Sequence, residues 1–209
     1  MAKIGLIDYG MGNLFSVQQA FKRVGQPLEV ICDIKQLNSC DALILPGVGA
    51  FDPAMNNLRK TDLIPSITNW INNGKPLIGI CLGLQLLFET SDEGTSKGLS
   101  VIKGHIRKLP QEENERIPHI GWSPIHKTNE CPILKNYSDS NWMYFVHSYS
   151  ACPVEQKNIV ATTKFGNTDV SSIVWHKNTG ACQFHPEKSG KAGQKLILNW
   201  INWLQTTTF

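Results

Sequence analysis

Two glycines flank a cysteine in Gly79-Ile80-Cys81-Leu82-Gly83. This G-x-nucleophile-x-G arrangement is the form of a nucleophile elbow, in which a residue is held in a sharp strand-to-helix turn. The strained angles of such a turn need neighbours without Cβ atoms, and glycine supplies that. A cysteine so placed sits at a helix N-terminus, where peptide dipoles favour thiolate over thiol. The amide of Leu82, next in the chain, then points to where an oxyanion would form. The bland alternative is a buried core cysteine with packing glycines on either side.

A thiol nucleophile needs a general base. Of the six histidines, His185 is set apart by Gln183-Phe184-His185-Pro186-Glu187. Pro186 turns the residue before it away from helical angles. In extended chain, positions i and i+2 face the same side. Glu187 can then hold one imidazole nitrogen and leave the other for Cys81. A solvated surface pair is the competing reading. His105, His119, His126 and His176 have no acid at this spacing, and His147 reads as a core histidine of an aromatic-rich strand. No two histidines have ligand spacing with a third ligand nearby, so neither a metal nor another cofactor is expected.

Gly47, Val48 and Gly49 follow Pro46 at the end of an apolar run. Glycines there let backbone amides approach a substrate or rotate towards it. A plain chain-turning loop is the alternative.

The elements that must carry these groups alternate in the first half. Strands are expected at Lys3 to Asp8, Leu28 to Cys32, Asp41 to Leu45 and Leu77 to Ile80. Between them, Asn13 caps a helix with Leu14, Val17, Phe21 and Val24 on its apolar face. A second helix, Leu63 to Asn73, repeats Ile64, Ile67 and Ile71 and stops at Gly74; a third is expected over Leu82 to Glu89. Such alternation argues for an α/β fold with a mostly parallel central sheet flanked by helices. The elbow and the Pro46–Gly49 loop would leave it at the carboxyl edge, where ligands bind in open α/β sheets. Beyond Gly94, Val101 to Leu109, Trp142 to Ser150, Ile159 to Phe165 and Ser172 to His176 are rich in β-formers and suit an additional antiparallel layer or extension. A helix from about Ser189 to Leu204 carries Leu196, Ile197, Trp200, Ile201 and Leu204 inward.

No long linker or repeat divides the 209 residues, so one domain, 1–209, is expected. Hydrophobic residues at 41% and charged residues at 18% place the chain with folded rather than disordered proteins. A net charge of +3 without a dense basic run gives no support to nucleic-acid binding. The apolar run before Asp8 is too short for a signal-peptide core, and Pro76 to Phe88 is too short to span a bilayer. The six cysteines lack a C-x-x-C pair and read as reduced cytoplasmic thiols, all but Cys81 as inert packing residues.

Together and in this order, the three chemical segments resemble the class I, triad-type glutamine amidotransferases. The finer likeness is to the family of glutaminase subunits that serve imidazole glycerol phosphate synthases in histidine biosynthesis. Asp8-Tyr9-Gly10-Met11-Gly12-Asn13-Leu14, Pro46-Gly47-Val48-Gly49-Ala50-Phe51, Pro118-His119-Ile120-Gly121-Trp122, Tyr144-Phe145-Val146-His147-Ser148-Tyr149 and Phe184-His185-Pro186-Glu187-Lys188-Ser189 all carry it. The likeness runs from about residue 3 to the C-terminal helix, and valine at position 48 favours this family over other amidotransferases. It implies that Cys81 attacks the side-chain amide of L-glutamine, with His185 and Glu187 completing a triad. It also implies that Gln85 and the backbones of Gly49, Ser148 and Tyr149 contact the substrate; a helix-surface role for Gln85 is the alternative. The implied partner is a (β/α)8-barrel cyclase subunit, in a heterodimer, that uses the ammonia. Trp122 is then a candidate contact anchor or, equally, a core tryptophan.

Three rivals share some of these features. A cysteine α/β-hydrolase usually carries its acid well before its histidine, unlike Glu187. A non-catalytic binding module predicts a broken triad. A paralogous amidotransferase subunit supplying surface-sugar synthesis would look the same in sequence.

Overall fold

The computed structural model describes residues 2–113, 115–137 and 141–209. In the first half, β1 (Ile4–Ile7), α1 (Leu14–Arg23), β2 (Leu28–Ile31), α2 (Ile34–Asn38), β3 (Ala42–Leu45), α3 (Phe51–Lys60), α4 (Ile64–Asn72), β4 (Leu77–Ile80) and α5 (Leu82–Leu86) follow one another. The second half is strand-rich: β5 (Thr90–Ser91), β6 (Gly104–Lys108), β7 (His119–Pro124), β8 (His126–Lys127), β9 (Trp142–His147), β10 (Tyr149–Pro153), β11 (Ile159–Phe165), β12 (Thr168–His176) and β13 (Thr179–Cys182). Helix α6 (Gly190–Thr206) closes the chain.

The main sheet has eight strands in the order β2-β1-β3-β4-β13-β12-β11-β8. Its β2 to β13 part is parallel, and β12, β11 and β8 continue it antiparallel. Two small sheets, β10-β6-β5 and the ribbon β7-β9, complete the structure. The expected parallel sheet with added antiparallel strands is therefore the architecture, and the antiparallel part is both an extension and separate layers.

The parallel strands IGLI, ALIL and LIGI are buried along their whole length, as continuous apolar runs should be when helices cover both faces. Alternate residues feed two cores. Leu6, Ile44 and Ile80 join Phe21 of α1 and Trp200 of α6 on one side, where the two rings meet edge to face at 6.0 Å. Ile7, Leu45 and Leu77 join Met55 of α3 and Ile67 of α4 on the other. Asn13 caps α1 as expected, its Oδ1 accepting from Ser16 N at 3.1 Å.

Three sequence expectations need correction. Helix α5 ends at Leu86 rather than Glu89, because the chain at 99–102 folds back and donates to the carbonyls of Leu86, Leu87 and Phe88. Those residues are spent on capping, so the strand expected from Val101 begins only at Gly104. The run Trp142 to Ser150 breaks at Ser148 into β9 and β10, which join different sheets. Strand β13, which sequence patterning does not reveal, is buried throughout and made of small residues. A Cβ at its Gly180 would lie 2.4 Å from the Trp175 ring, so the tryptophan occupies the space a side chain would take.

The tightest approach joins the elbow to β3. A Cβ on Gly83 would fall 1.9 Å from the carbonyl oxygen of Leu45, a backbone atom in a central strand. Gly83→Ala is expected to destabilise the protein by about 1–3 kcal/mol, the usual cost of overpacking a well-filled site. A lower urea midpoint at unchanged slope would show it; an unmoved midpoint would contradict this account.

Candidate active site

Strands β3, β4 and β13 are neighbours, parallel and nearly in register, with Leu45 opposite Gly79 and Cys182 opposite Ile80. Their carboxyl ends deliver, side by side, the Pro46–Gly49 segment, Cys81, and the segment that leads to His185. Placement of a site at this carboxyl edge follows from the strand directions alone.

Cys81 has φ 54° and ψ −110°, a left-handed backbone that a β-carbon-bearing residue adopts only at a cost of order 1–3 kcal/mol. The conformation is held by the Cys81 N–H donating to Cys182 O at 2.8 Å and by the Cys81 carbonyl accepting from Leu84 N at 3.0 Å. Its side chain is buried, at the floor of a cavity of about 290 Å³ also lined by Val48, Gln85, Glu93, Tyr149 and His185.

His185 Nδ1 lies 2.7 Å from Glu187 Oε1, and both side chains are buried, 3% and 2% exposed. This depth rules out a solvated surface pair. The second nitrogen, Nε2, has no partner at normal hydrogen-bond geometry among the described residues and is directed to the cavity shared with Cys81. Burial pushes the His185 pKa down, but the Cys81 sulfur and the Glu187 carboxylate outweigh it and hold it up at about 10. The backbone at His185 is fixed by its N–H donating to Tyr144 O at 2.9 Å and by its carbonyl accepting from Ser189 Oγ at 2.6 Å.

The segment from Pro46 to Phe51 is anchored at both ends. Buried Tyr9 donates its hydroxyl to Pro46 O at 2.7 Å; burial, then the charge of Cys81, pushes that hydroxyl's pKa up. At the far end, Phe51 N donates to Glu93 Oε2 at 2.8 Å. Between them Gly49 takes φ +109° and Val48 is exposed. The Leu82 N–H is 3.3 Å from Gly47 O, so it is engaged within the chain by a long hydrogen bond.

Gln85 lies one helical turn beyond Cys81 and is buried, not on a helix surface. Its Nε2 donates to Tyr149 O and to Gln183 Oε1, both at 3.3 Å. Gln183, fully buried, points its own amide at Cys81 Sγ, 3.8 Å away. Ser148 and Tyr149 line the same cavity. Sequence reasoning missed Gln183 and Glu93. Gln183 precedes the His185 motif and carried a signal only through its neighbours; Glu93 sits in a turn with no local pattern.

Among the cysteines, Cys40, Cys131 and Cys182 are buried, and burial raises all three thiols. Cys32 and Cys152 are exposed, contrary to a packing role. Trp122 is 49% exposed, which excludes the core alternative. Among the described residues, no group of three or more His, Cys, Asp or Glu is arranged for a metal ion, and no helix is long and apolar enough to cross a membrane.

Residues 5–203 match the family Glutamine amidotransferase class-I, and the chain belongs to that family. Over all 209 residues it is 81% identical to the imidazole glycerol phosphate synthase subunit HisH of Prochlorococcus marinus (strain NATL2A), covering 100% of both chains. It is 58% identical to the same subunit of strain MIT 9211 over 201 residues, 96% of this chain and 94% of the other. Among solved structures, a glutamine amidotransferase superposes with TM-score 0.76 at 16% identity, covering 97% of this chain and 99% of that one. PurLQS from Thermotoga maritima follows at 0.73 and 17%, covering 98% and 100%. At these identities the structural likeness speaks to the fold alone.

The elevated His185 pKa depends on Cys81 first among its charged neighbours. Cys81→Ala is expected to lower it from about 10, as read by NMR titration of the imidazole. Because the folded value lies above the ordinary 6.5, this proton stabilises the fold fully below pH 6.5, and the contribution fades as pH rises through 10. A His185 pKa unchanged in Cys81→Ala would contradict the coupling.

Proposed function

We propose that the chain hydrolyses L-glutamine to glutamate and ammonia through Cys81, His185 and Glu187. The observation that carries this reading is a strained, buried cysteine facing a histidine whose other nitrogen is held by a buried carboxylate. Cys81 Sγ attacks the side-chain amide carbonyl. His185 Nε2 gives its proton to the leaving nitrogen, so ammonia departs and a glutamyl thioester remains. The same nitrogen then takes a proton from water, whose oxygen attacks the thioester, and glutamate leaves as the Cys81 thiolate is restored beside the protonated imidazole. Glu187 keeps the imidazole in one orientation throughout.

The oxyanion of each tetrahedral intermediate needs donors. Leu82 N–H and an amide of the Gly47–Gly49 segment supply them in this reading. Since Leu82 N–H is engaged by Gly47 O, the segment has to shift before both donors face the substrate, and Gly49 makes rotation of the Val48 peptide cheap. Gln85, Gly49, Ser148 and Tyr149 position the substrate. Glu93, the cavity's carboxylate outside the triad, complements the α-ammonium group of glutamine.

The chain serves histidine biosynthesis as the glutaminase subunit of imidazole glycerol phosphate synthase, in the cytoplasm. In this reading it pairs as a heterodimer with a (β/α)8-barrel cyclase subunit, which receives the ammonia and yields imidazole glycerol phosphate and aminoimidazole carboxamide ribonucleotide. Support comes from names of relatives at high identity and from the outer face of the β7-β9 ribbon. Ile120, Trp122 and Trp142 are exposed there together, the kind of aromatic patch that protein partners cover. Docking on that face is proposed to favour the shifted form of the oxyanion segment.

Two substitutions test the reading in the complex. Cys81→Ala should lose glutamine-dependent synthesis by roughly four or more powers of ten, while synthesis from ammonium salt persists; retained glutamine hydrolysis would sink the nucleophile assignment. Glu93→Gln should raise KM for glutamine about tenfold or more, as loss of a charge-assisted contact does, with ammonium-driven synthesis unchanged. An unchanged KM would remove Glu93 from substrate recognition.

A further inference from the structure

Two histidines outside the triad are buried against each other. His119 opens β7 and His147 closes β9, directly opposite across the ribbon. Three short contacts run through them. Ser123 Oγ is 2.9 Å from His119 Nε2, His119 Nδ1 is 3.1 Å from His147 Nε2, and His147 Nδ1 is 2.9 Å from the carbonyl oxygen of Tyr149.

Hydrogen-bond chemistry allows one assignment of protons for two neutral rings. A carbonyl oxygen only accepts, so His147 Nδ1 carries a proton and its Nε2 is bare. His119 must then donate from Nδ1, which leaves its Nε2 to accept from the Ser123 hydroxyl. Both rings are neutral for a physical reason: burial, assisted by the nearby histidines, pushes His147 down to about 3, and burial lowers His119 as well. The result is a one-way chain from Ser123 through both rings to Tyr149 O.

The terminus of that chain is part of the pocket. Tyr149 O also accepts from Gln85 Nε2, and the kink at Ser148, where β9 leaves one sheet and β10 enters another, lines the cavity. The His147 contact spans this kink from residue 147 to residue 149. Phe145 stacks on His119 at 4.9 Å and Phe165 lies at 5.5 Å, so the surroundings are aromatic. A polar pair in such a place costs desolvation that an apolar side chain would avoid.

We propose that His119 and His147 are positioning residues that lock the kink at 147–149 and so set how tightly glutamine is held, taking no part in bond making. This rests on the reading that the backbones of Ser148 and Tyr149 contact the substrate. A locked kink spares the substrate the entropy of ordering it, an effect on KM rather than on the triad's kcat.

Two measurements test it. In the first, nitrogen chemical shifts of both rings in the wild-type complex at neutral pH should report the Nδ1–H tautomer for His119 and His147. An Nε2–H tautomer or a charged ring at either position overturns the relay. In the second, His119→Phe, which keeps the aromatic volume and loses the donor, should raise KM for glutamine about three- to tenfold with kcat within about twofold. His119→Asn, whose amide can donate from the place of Nδ1, should restore the KM. Equal KM in His119→Phe and wild type, or an equal rise in both variants, overturns the proposal in favour of packing alone. If His119→Phe does not fold, the wild-type tautomers decide. Absence of glutamine hydrolysis by the wild-type complex would strike the functional reading instead, and the tautomers would still judge the relay.

Discussion

The geometry of this site depends on one close approach, that of Gly83 to the backbone of Leu45. It brings the start of α5 against the end of β3, so Cys81 is turned through left-handed angles between β4 and α5. From that point the rest is determined by strand direction. The segment leaving β3 has to pass over the elbow, and the segment leaving β13 has to arrive on its other flank. A parallel sheet with its three central strands in register converts a local steric requirement into a three-sided pocket.

The polar side chains around the pocket are deeply buried, and this sets its energetics. A carboxylate as buried as Glu187 would cost several kcal/mol if left alone. Its partner at 2.7 Å is an imidazole held in the protonated form, so the two charges offset each other's desolvation. The amides follow the same logic without charge. Gln85 hands hydrogen bonds to Tyr149 and Gln183, and Gln183 passes one on to the sulfur. Tyr149, Gln85, Gln183 and the Cys81 sulfur thus belong to a single network, in which moving one member shifts the others.

How much of this was legible beforehand depended on how far apart the cooperating residues lie in the chain. Cys81 with its glycines, and His185 with Glu187, encode their geometry within a few residues, so spacing alone points to them. The alternating first half was legible for the same reason, since IGLI, ALIL and LIGI are unambiguous buried strands. What escaped was set by distant pairing. Strand β13 is a run of small residues whose identity as a central strand comes only from β4 and β12 on either side. Glu93 reaches the cavity because its turn is tied to the start of α3. His147 reads in sequence as a core histidine; its contact with His119 arises from the pairing of β7 with β9, and β7 has no strand pattern of its own. The break at Ser148 was invisible because β-formers continue without interruption on both sides of it.

The outer face of the β7-β9 ribbon carries a consequence beyond the chemistry. A two-stranded ribbon has little stability of its own, and while this one buries Phe145 on its inner face, it turns Trp122 and Trp142 to water on its outer face. Left uncovered, such a face favours self-association. Self-association then competes with assembly, and the competition grows with concentration. Under the proposed docking of a partner on this face, the ratio of the two chains becomes a physical parameter of the system alongside their affinity.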